Sequence, residues 1–158
     1  MVAEALMYQR ILVPLDGSST AERGLHEAIR LAAGTAAQIE LLHVVDDFPG
    51  IREFAAYDLL EQARRERELR GEAALESAVA MAEAAGVKAT AKVLFVVTDL
   101  SDTIIARARR AHCDAIVMGT HGRSGLSRAV LGSVAEGVAR RSPVPVLLVP
   151  PLAEPVAG

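Results

Sequence analysis

Short apolar runs of strand length alternate along this chain with stretches whose apolar residues return at helical spacing. "ILVPL" (11–15) is stopped by "DGSS", and in the segment that follows Ala21, Leu25, Ala28, Ile29 and Ala32 share one helical face. Ser19 and Glu22 have capping-box spacing, and Gly34 stands where a left-handed helix stop is expected. "QIELLHVV" (38–45) reads as a second strand, and residues 46–57 as a flexible connection. From about Asp58 to Ala85 the pattern is helical, with Glu61 and Arg65, and Glu66 and Arg70, at the favourable i,i+4 spacing. Gly71 is a weak point in that run. Its charged half, "EQARRERELR", is a solvated face or a surface for docking a partner.

"VKATAKVLFVV" (87–97) sets Lys88, Thr90 and Lys92 against Val87, Ala89, Ala91 and Val93, the alternation of an edge strand guarded by lysines. A helix follows over 101–111, then "DAIVMG" (114–119), whose apolar run belongs in the middle of a sheet. Another helix ends near Arg141, and "VPVLLVP" (144–150) supplies the last strand. Pro143, Pro145, Pro150 and Pro151 place that strand at an edge, because proline cannot donate to a ladder. Two edges, two central runs and right-handed crossovers leave the order 3-2-1-4-5, a doubly wound, Rossmann-like, five-stranded parallel α/β sheet.

Composition narrows this further. The 158 residues, 16.7 kDa, fit a single domain spanning 1–158, with a core over about 8–150 and a tail at 151–158; a chain of this size buries about 68–70% of its unfolded surface. Hydrophobic residues make up 51% but aromatics only 3%, with no Trp, so Ala, Val, Leu and Ile must fill the core, which suits layered helices and strands. The net charge of −3 and the interleaving of acids with bases argue against a nucleic-acid surface. Cys113, the single cysteine, excludes an internal disulfide and a CxxC metal site, and is expected to be a small buried hydrophobe. The N-terminal "MVAEALMYQR" carries no basic targeting region, and no apolar run approaches the roughly 18 residues of a membrane span. A cytoplasmic protein with no membrane partner is expected.

In a sheet of this order the ligand crevice lies where the winding reverses, between the carboxyl ends of strands 1 and 4. "PLDGSS" (14–19) and "MGTHGR" (118–123) occupy those ends. Gly119 and Gly122 let the backbone approach a ligand, and Gly132-Ser133 at a helix start offers unpaired N–H groups, a hydroxyl and the positive end of the dipole, all suited to phosphate. The alternative is a tight turn at Gly119 and Gly122 with Ser133 capping the helix. The pattern is neither a Walker A loop nor GxGxxG. Without a P-loop lysine, a triphosphate would be met by amides, by Arg123 or Arg128, and by Mg²⁺; a unit-charge pair at 4 Å is worth about 4 kcal/mol at an effective dielectric of 20. Asp16 could hydrogen-bond the nucleoside or touch the cation, or serve as a turn residue. His121 could touch a phosphate or be an exposed loop position.

These residues carry a family likeness. From "ILVPLDGSSTAERGLHEAIRLA" through "LLHVVD" to "DAIVMGTHGRSGLSRAVLGSVAEGVARRSPVPVLLVP", the chain resembles the universal stress proteins over nearly its whole length. Their motif Gly-x2-Gly-x9-Gly-Ser/Thr is complete as Gly119, Gly122, Gly132 and Ser133. The resemblance implies an adenine nucleotide alpha hydrolase-like fold that binds ATP or another adenine nucleotide. It sets Pro14, Leu15 and Asp16 beside the nucleoside and Val44 near the adenine. Met118 and Gly119 line the pocket, and Gly122, Arg123, Gly132, Ser133 and Val134 surround the phosphates. One departure is "VVTDLSDTII" (96–105), where a Gly-x-Pro-like turn is common; Asp99 with Asp102, or Ser101, can still cap the next helix. The resemblance also implies pairing through the last strand, and the short hydrophobic edge from Val144 to Val149 supplies a reason for a homodimer.

Little demands a catalyst. Ser124, Ser127 and Ser133 sit in no GxSxG elbow, and His26, His43, His112 and His121 show no metal or triad spacing. Three functions stay open: a nucleotide-binding stress-response or regulatory module, a slow ATPase or autophosphorylating protein with Ser133 or Ser124 as the suspect, and a dimeric scaffold acting without nucleotide.

Overall fold

The computed structural model describes residues 8–46, 57–96, 98–121 and 130–152. Strands β1 (Arg10–Pro14), β2 (Gln38–Val45), β3 (Lys88–Phe95), β4 (Ala115–Gly119) and β5 (Val146–Val149) form one parallel sheet in the order β3-β2-β1-β4-β5, the arrangement that the edge signals require. Helices α1 (Ser19–Ala32) and α2 (Tyr57–Ala84) cover one face, and α3 (Leu100–Arg110) and α4 (Ser133–Arg141) the other. The pleat sorts the strand residues between these layers. Ile11, Val13 and Leu15 of the β1 region join Ile39, Leu41 and Val117 under α1 and α2, while Leu12, Leu42, Ile116 and Met118 pack under α3 and α4.

The predicted stripe of α1 is buried as a set, Ala21, Leu25, Ala28, Ile29 and Ala32 all lying in the core. The start of α1 differs by one residue from the capping box expected at Ser19. Asp16 Oδ1 accepts from the Ser18 amide at 2.9 Å, Gly17 turns with φ +81°, and Ser18 Oγ then caps Ala21 N–H at 3.1 Å. Ser18 is therefore the cap, and Ser19 the first helical residue. Gly34 takes the left-handed conformation after the helix, φ +76°.

α2 runs unbroken for 28 residues, straight through Gly71. A Cβ at that position would lie 2.7 Å from His43 Nε2, so the absence of a side chain is what lets the helix close over β2. Along its charged half the Glu66–Arg70 pair forms at 3.1 Å. Glu61 instead meets Arg64 at 3.9 Å and Arg65 meets Glu68 at 3.4 Å, both at i,i+3 spacing. Arg64 swings over the ring of Phe95, 4.2 Å from its centroid.

Two further features tie the amino ends of the strands together. Asp114, just before β4, accepts the amides of Gln9 and Arg10 at 2.8 and 3.0 Å and donates its own N–H to Arg10 O at 2.9 Å. Glu40, 2% exposed on β2, is paired with Arg107 of α3 and lies 3.9 Å from Arg10. On β5, Pro145 contributes the one ladder group it has, its carbonyl, to Ile116 N–H at 3.0 Å.

Candidate functional site

The carboxyl ends of β1 and β4 lie side by side at the centre of the sheet, and each is held by backbone contacts. After β1, Leu15 N–H donates to Leu42 O at 2.8 Å, so Leu15 continues the grip of β2. Its side chain is buried with α1 and α2, and toward a crevice on the other face it offers backbone only. Asp16 follows, half-buried, with its Oδ1 on the Ser18 amide. After β4, Thr120 N–H donates to Val149 O at 3.0 Å, and Thr120 O accepts Gly132 N–H at 2.9 Å. Chain on both sides of residues 122–129 is thereby pinned to the end of the sheet.

The glycines here have packing reasons of their own. A Cβ on Gly119 would stand 2.8 Å from Thr20 Cγ2 and 2.9 Å from the Thr20 backbone, so β4 ends against the first turn of α1 only because Gly119 is bare. A Cβ on Gly132 would stand 2.8 Å from Thr120 O. Gly122 and Arg123, with Ser124, Ser127 and Arg128, lie outside the described residues.

Gly132 is the N-cap of α4 and supplies no side-chain hydrogen bond; the helical ladder begins with Glu136 N–H on Gly132 O at 2.8 Å. Ser133 is thus the first helical residue rather than the cap, and it is exposed. The amides of Ser133, Val134 and Ala135, ahead of the first closed rung, point toward the amino end of the helix with the positive dipole end behind them. A helix end of this kind is suited to an anion.

Beside it runs an apolar wall. Val44, Leu94, Leu100, Leu131 and Val134 all pack around the buried Leu12, Leu42 and Met118 on the α3/α4 face. Pro14, half-buried at the end of β1, is two residues beyond Leu12 and so on the same side of the pleat. Among the predicted site residues, then, Val44, Met118 and Val134 share one cluster, while Leu15 belongs to the other.

His121 has a role its sequence position did not disclose. Its Nε2 contacts the carbonyl of Val130 and its Nδ1 lies 2.8 Å from Thr120 Oγ1. A carbonyl can only accept, so Nε2 carries a proton, while Nδ1 pairs with the Thr120 hydroxyl. Through Nε2 the ring joins the two flanks of 122–129, and its Nδ1 is engaged by the neighbouring Thr120. Thr120, unremarked in the sequence, is the hub: its N–H holds β5, its carbonyl holds the start of α4, and its hydroxyl engages the ring of its neighbour His121.

Next to the crevice, Asp99 caps α3 through Asp102 N–H at 3.0 Å, one of the caps expected there. That backbone hydrogen bond, followed by the Arg141 guanidinium, holds the Asp99 carboxyl below its usual range. Cys113 is buried, and burial, then the Glu40 charge, pushes its thiol up to about 11, as befits an inert packing residue. Among the described residues no group of three or more His, Cys, Asp or Glu is arranged to hold a metal, and no helix is long and apolar enough to cross a membrane.

Comparison with known proteins gives one consistent answer. The model of the "Universal stress protein family" matches residues 7–150. Universal stress protein MJ0531 of Methanocaldococcus jannaschii is 35% identical over 145 residues, covering 90% of this chain and 82% of that protein. The solved structure of MJ0577 from the same organism superposes with a TM-score of 0.82 at 28% identity, covering 94% of this chain and 100% of the other. A universal stress protein solved in complex with cAMP superposes with a TM-score of 0.67, also at 28% identity, over 90% of this chain and 97% of the other.

Proposed function

The chain belongs to the universal stress protein family, and from that premise we propose that it binds an adenine nucleotide, ATP with Mg²⁺, in the crevice between β1 and β4. It would act as a stress-response or regulatory module whose bound state alters its associations. The observation that carries this reading is the amino end of α4, where Gly132 puts no side-chain cap on the amides of the first turn, on the same face of the sheet as the apolar wall of Val44, Met118 and Val134. A base needs the wall and a phosphate needs the amides. The cAMP complex of a 28%-identical family member supports the ligand class.

In this arrangement Ser133, Val134 and Ala135 meet the phosphates through N–H groups, Ser133 adds its hydroxyl, and Gly132, its own N–H held by Thr120 O, gives the phosphates room to approach; Gly122 and Arg123 are proposed for the same end. Pro14, the Leu15 backbone and Asp16 lie on the nucleoside side, with Met118 and Gly119 forming the floor. Mg²⁺ would be carried by the phosphates, with Asp16 as the nearby carboxylate. Two copies would pair through β5, an edge on which Leu147 is 44% exposed.

Thermal melting tests the reading. Ligand at 100 times Kd adds about 2.7 kcal/mol, which for a domain this size raises Tm by about 5–10 °C. The absence of any shift with millimolar Mg-ATP or cAMP would contradict it.

A further inference from the structure

His43 is a buried polar side chain that lies on the face opposite the apolar wall, yet it reaches the crevice through the backbone. Its Nδ1 is 2.9 Å from the carbonyl of Leu15. Because a carbonyl only accepts, Nδ1 holds the proton and donates. Leu15 N–H is already bonded to Leu42 O at 2.8 Å. The residue just before Asp16 is therefore gripped at both its amide and its carbonyl by consecutive residues of β2, first by backbone and then by the imidazole. The other edge of the ring lies against Gly71, where a Cβ would stand 2.7 Å from Nε2. Three elements meet at this one side chain: β2, the β1–α1 turn and the middle of α2.

We propose that His43 is a positioning residue that fixes the β1–α1 turn, and with it Asp16, for the nucleotide, and that Gly71 lets α2 lock the ring in place. The seating of α2 and the affinity of the crevice are then two readouts of one contact. A ligand that fixes Leu15 and Asp16 also holds α2 against the sheet, and loosening α2 weakens the ligand by the same factor. The inference rests on the nucleotide reading for its ligand and on the contacts above for its geometry.

The test compares wild type with His43→Leu, which removes the donor at similar volume, His43→Asn, whose amide nitrogen can stand where Nδ1 stands, and Gly71→Ala, which crowds the ring. Calorimetric titration with Mg-ATP should show His43→Leu and Gly71→Ala binding about tenfold more weakly, the scale of one lost buried hydrogen bond, with His43→Asn close to wild type. Hydrogen exchange should show nucleotide slowing the amides of α2 around Gly71 in wild type and His43→Asn but not in His43→Leu. A folded His43→Leu protein with wild-type affinity overturns the proposal, as does failure of His43→Asn to recover binding. If wild type binds no nucleotide, the ligand reading fails by itself; the positioning claim then stands or falls on whether His43→Asn keeps, and Gly71→Ala loses, wild-type exchange protection at residues 15–18.

Discussion

The amide of Gly132 donates to the carbonyl of Thr120 at 2.9 Å, and the same carbonyl is the atom that a Cβ on Gly132 would strike, at 2.8 Å. The glycine that opens α4 therefore serves the unliganded fold before it serves any phosphate. Gly132→Ala should lower stability with no nucleotide present, by about 1–3 kcal/mol as an overpacked backbone contact, seen as a Tm drop of roughly 2–4 °C per kcal/mol. An unchanged melting curve would mean that the contact relaxes freely. Ser133→Ala is the cleaner probe of the ligand: the side chain is exposed, so the unliganded Tm should stay put while nucleotide affinity falls.

At the other end of the sheet, Glu40 is buried against Arg107 with Arg10 3.9 Å away. Removing one partner strands a buried charge. Arg107→Met should cost about 3 kcal/mol, the low end for a broken buried pair, since the Arg107 side chain is 25% exposed and Arg10 remains. Glu40→Leu combined with Arg107→Met should recover most of that loss in denaturant titration. Equal destabilisation by the single and the double variant would contradict this account.

Asp99 gives a pH signature. Its carboxyl is lowered chiefly by the Asp102 N–H it accepts, then by Arg141. A lowered folded value means that the stabilisation is present above the ordinary carboxylate range and is lost as pH falls through the folded value, below 3.8. Asp99→Ala should therefore cost about 1 kcal/mol at neutral pH, a typical cap loss, and progressively less in acid. Parallel melting of both proteins from pH 6 to pH 2.5 measures it, and a constant difference would exclude the cap as the cause.

The exposed Leu147 on β5 tests the proposed dimer. Leu147→Asp should leave a folded monomer in light scattering if copies pair along that edge. A dimer that survives the change pairs elsewhere.

The sheet order was legible because its edge signals are local: Lys88 and Lys92 along β3, and the prolines around β5, each speak for their own strand. The stripe of α1 and the ends of β1 and β4 were legible for the same reason. What escaped the sequence depends on contacts between distant residues. Gly71 reads as a weak point in its helix until the His43 ring is seen filling its empty space. His121 reads as a phosphate contact or an exposed loop position, and its contact with Val130, nine residues away, is not legible in the sequence. Ser19 has the capping-box spacing to Glu22 on paper, and the Asp16–Gly17 turn makes Ser18 the cap instead. Two of the motif glycines, Gly119 and Gly132, carry packing roles that spacing alone does not reveal.

The central claim is that a nucleotide phosphate sits on the amino end of α4 while its base lies along the wall between β1 and β4. Backbone amide shifts recorded by NMR during titration with Mg-ATP test this most directly. The account predicts saturable shifts centred on Gly132, Ser133, Val134, Ala135, Gly119 and Asp16, with the amides of β5 and the carboxyl-terminal turn of α2 little changed. Saturation with shifts centred elsewhere, or no shifts at millimolar nucleotide, would contradict it.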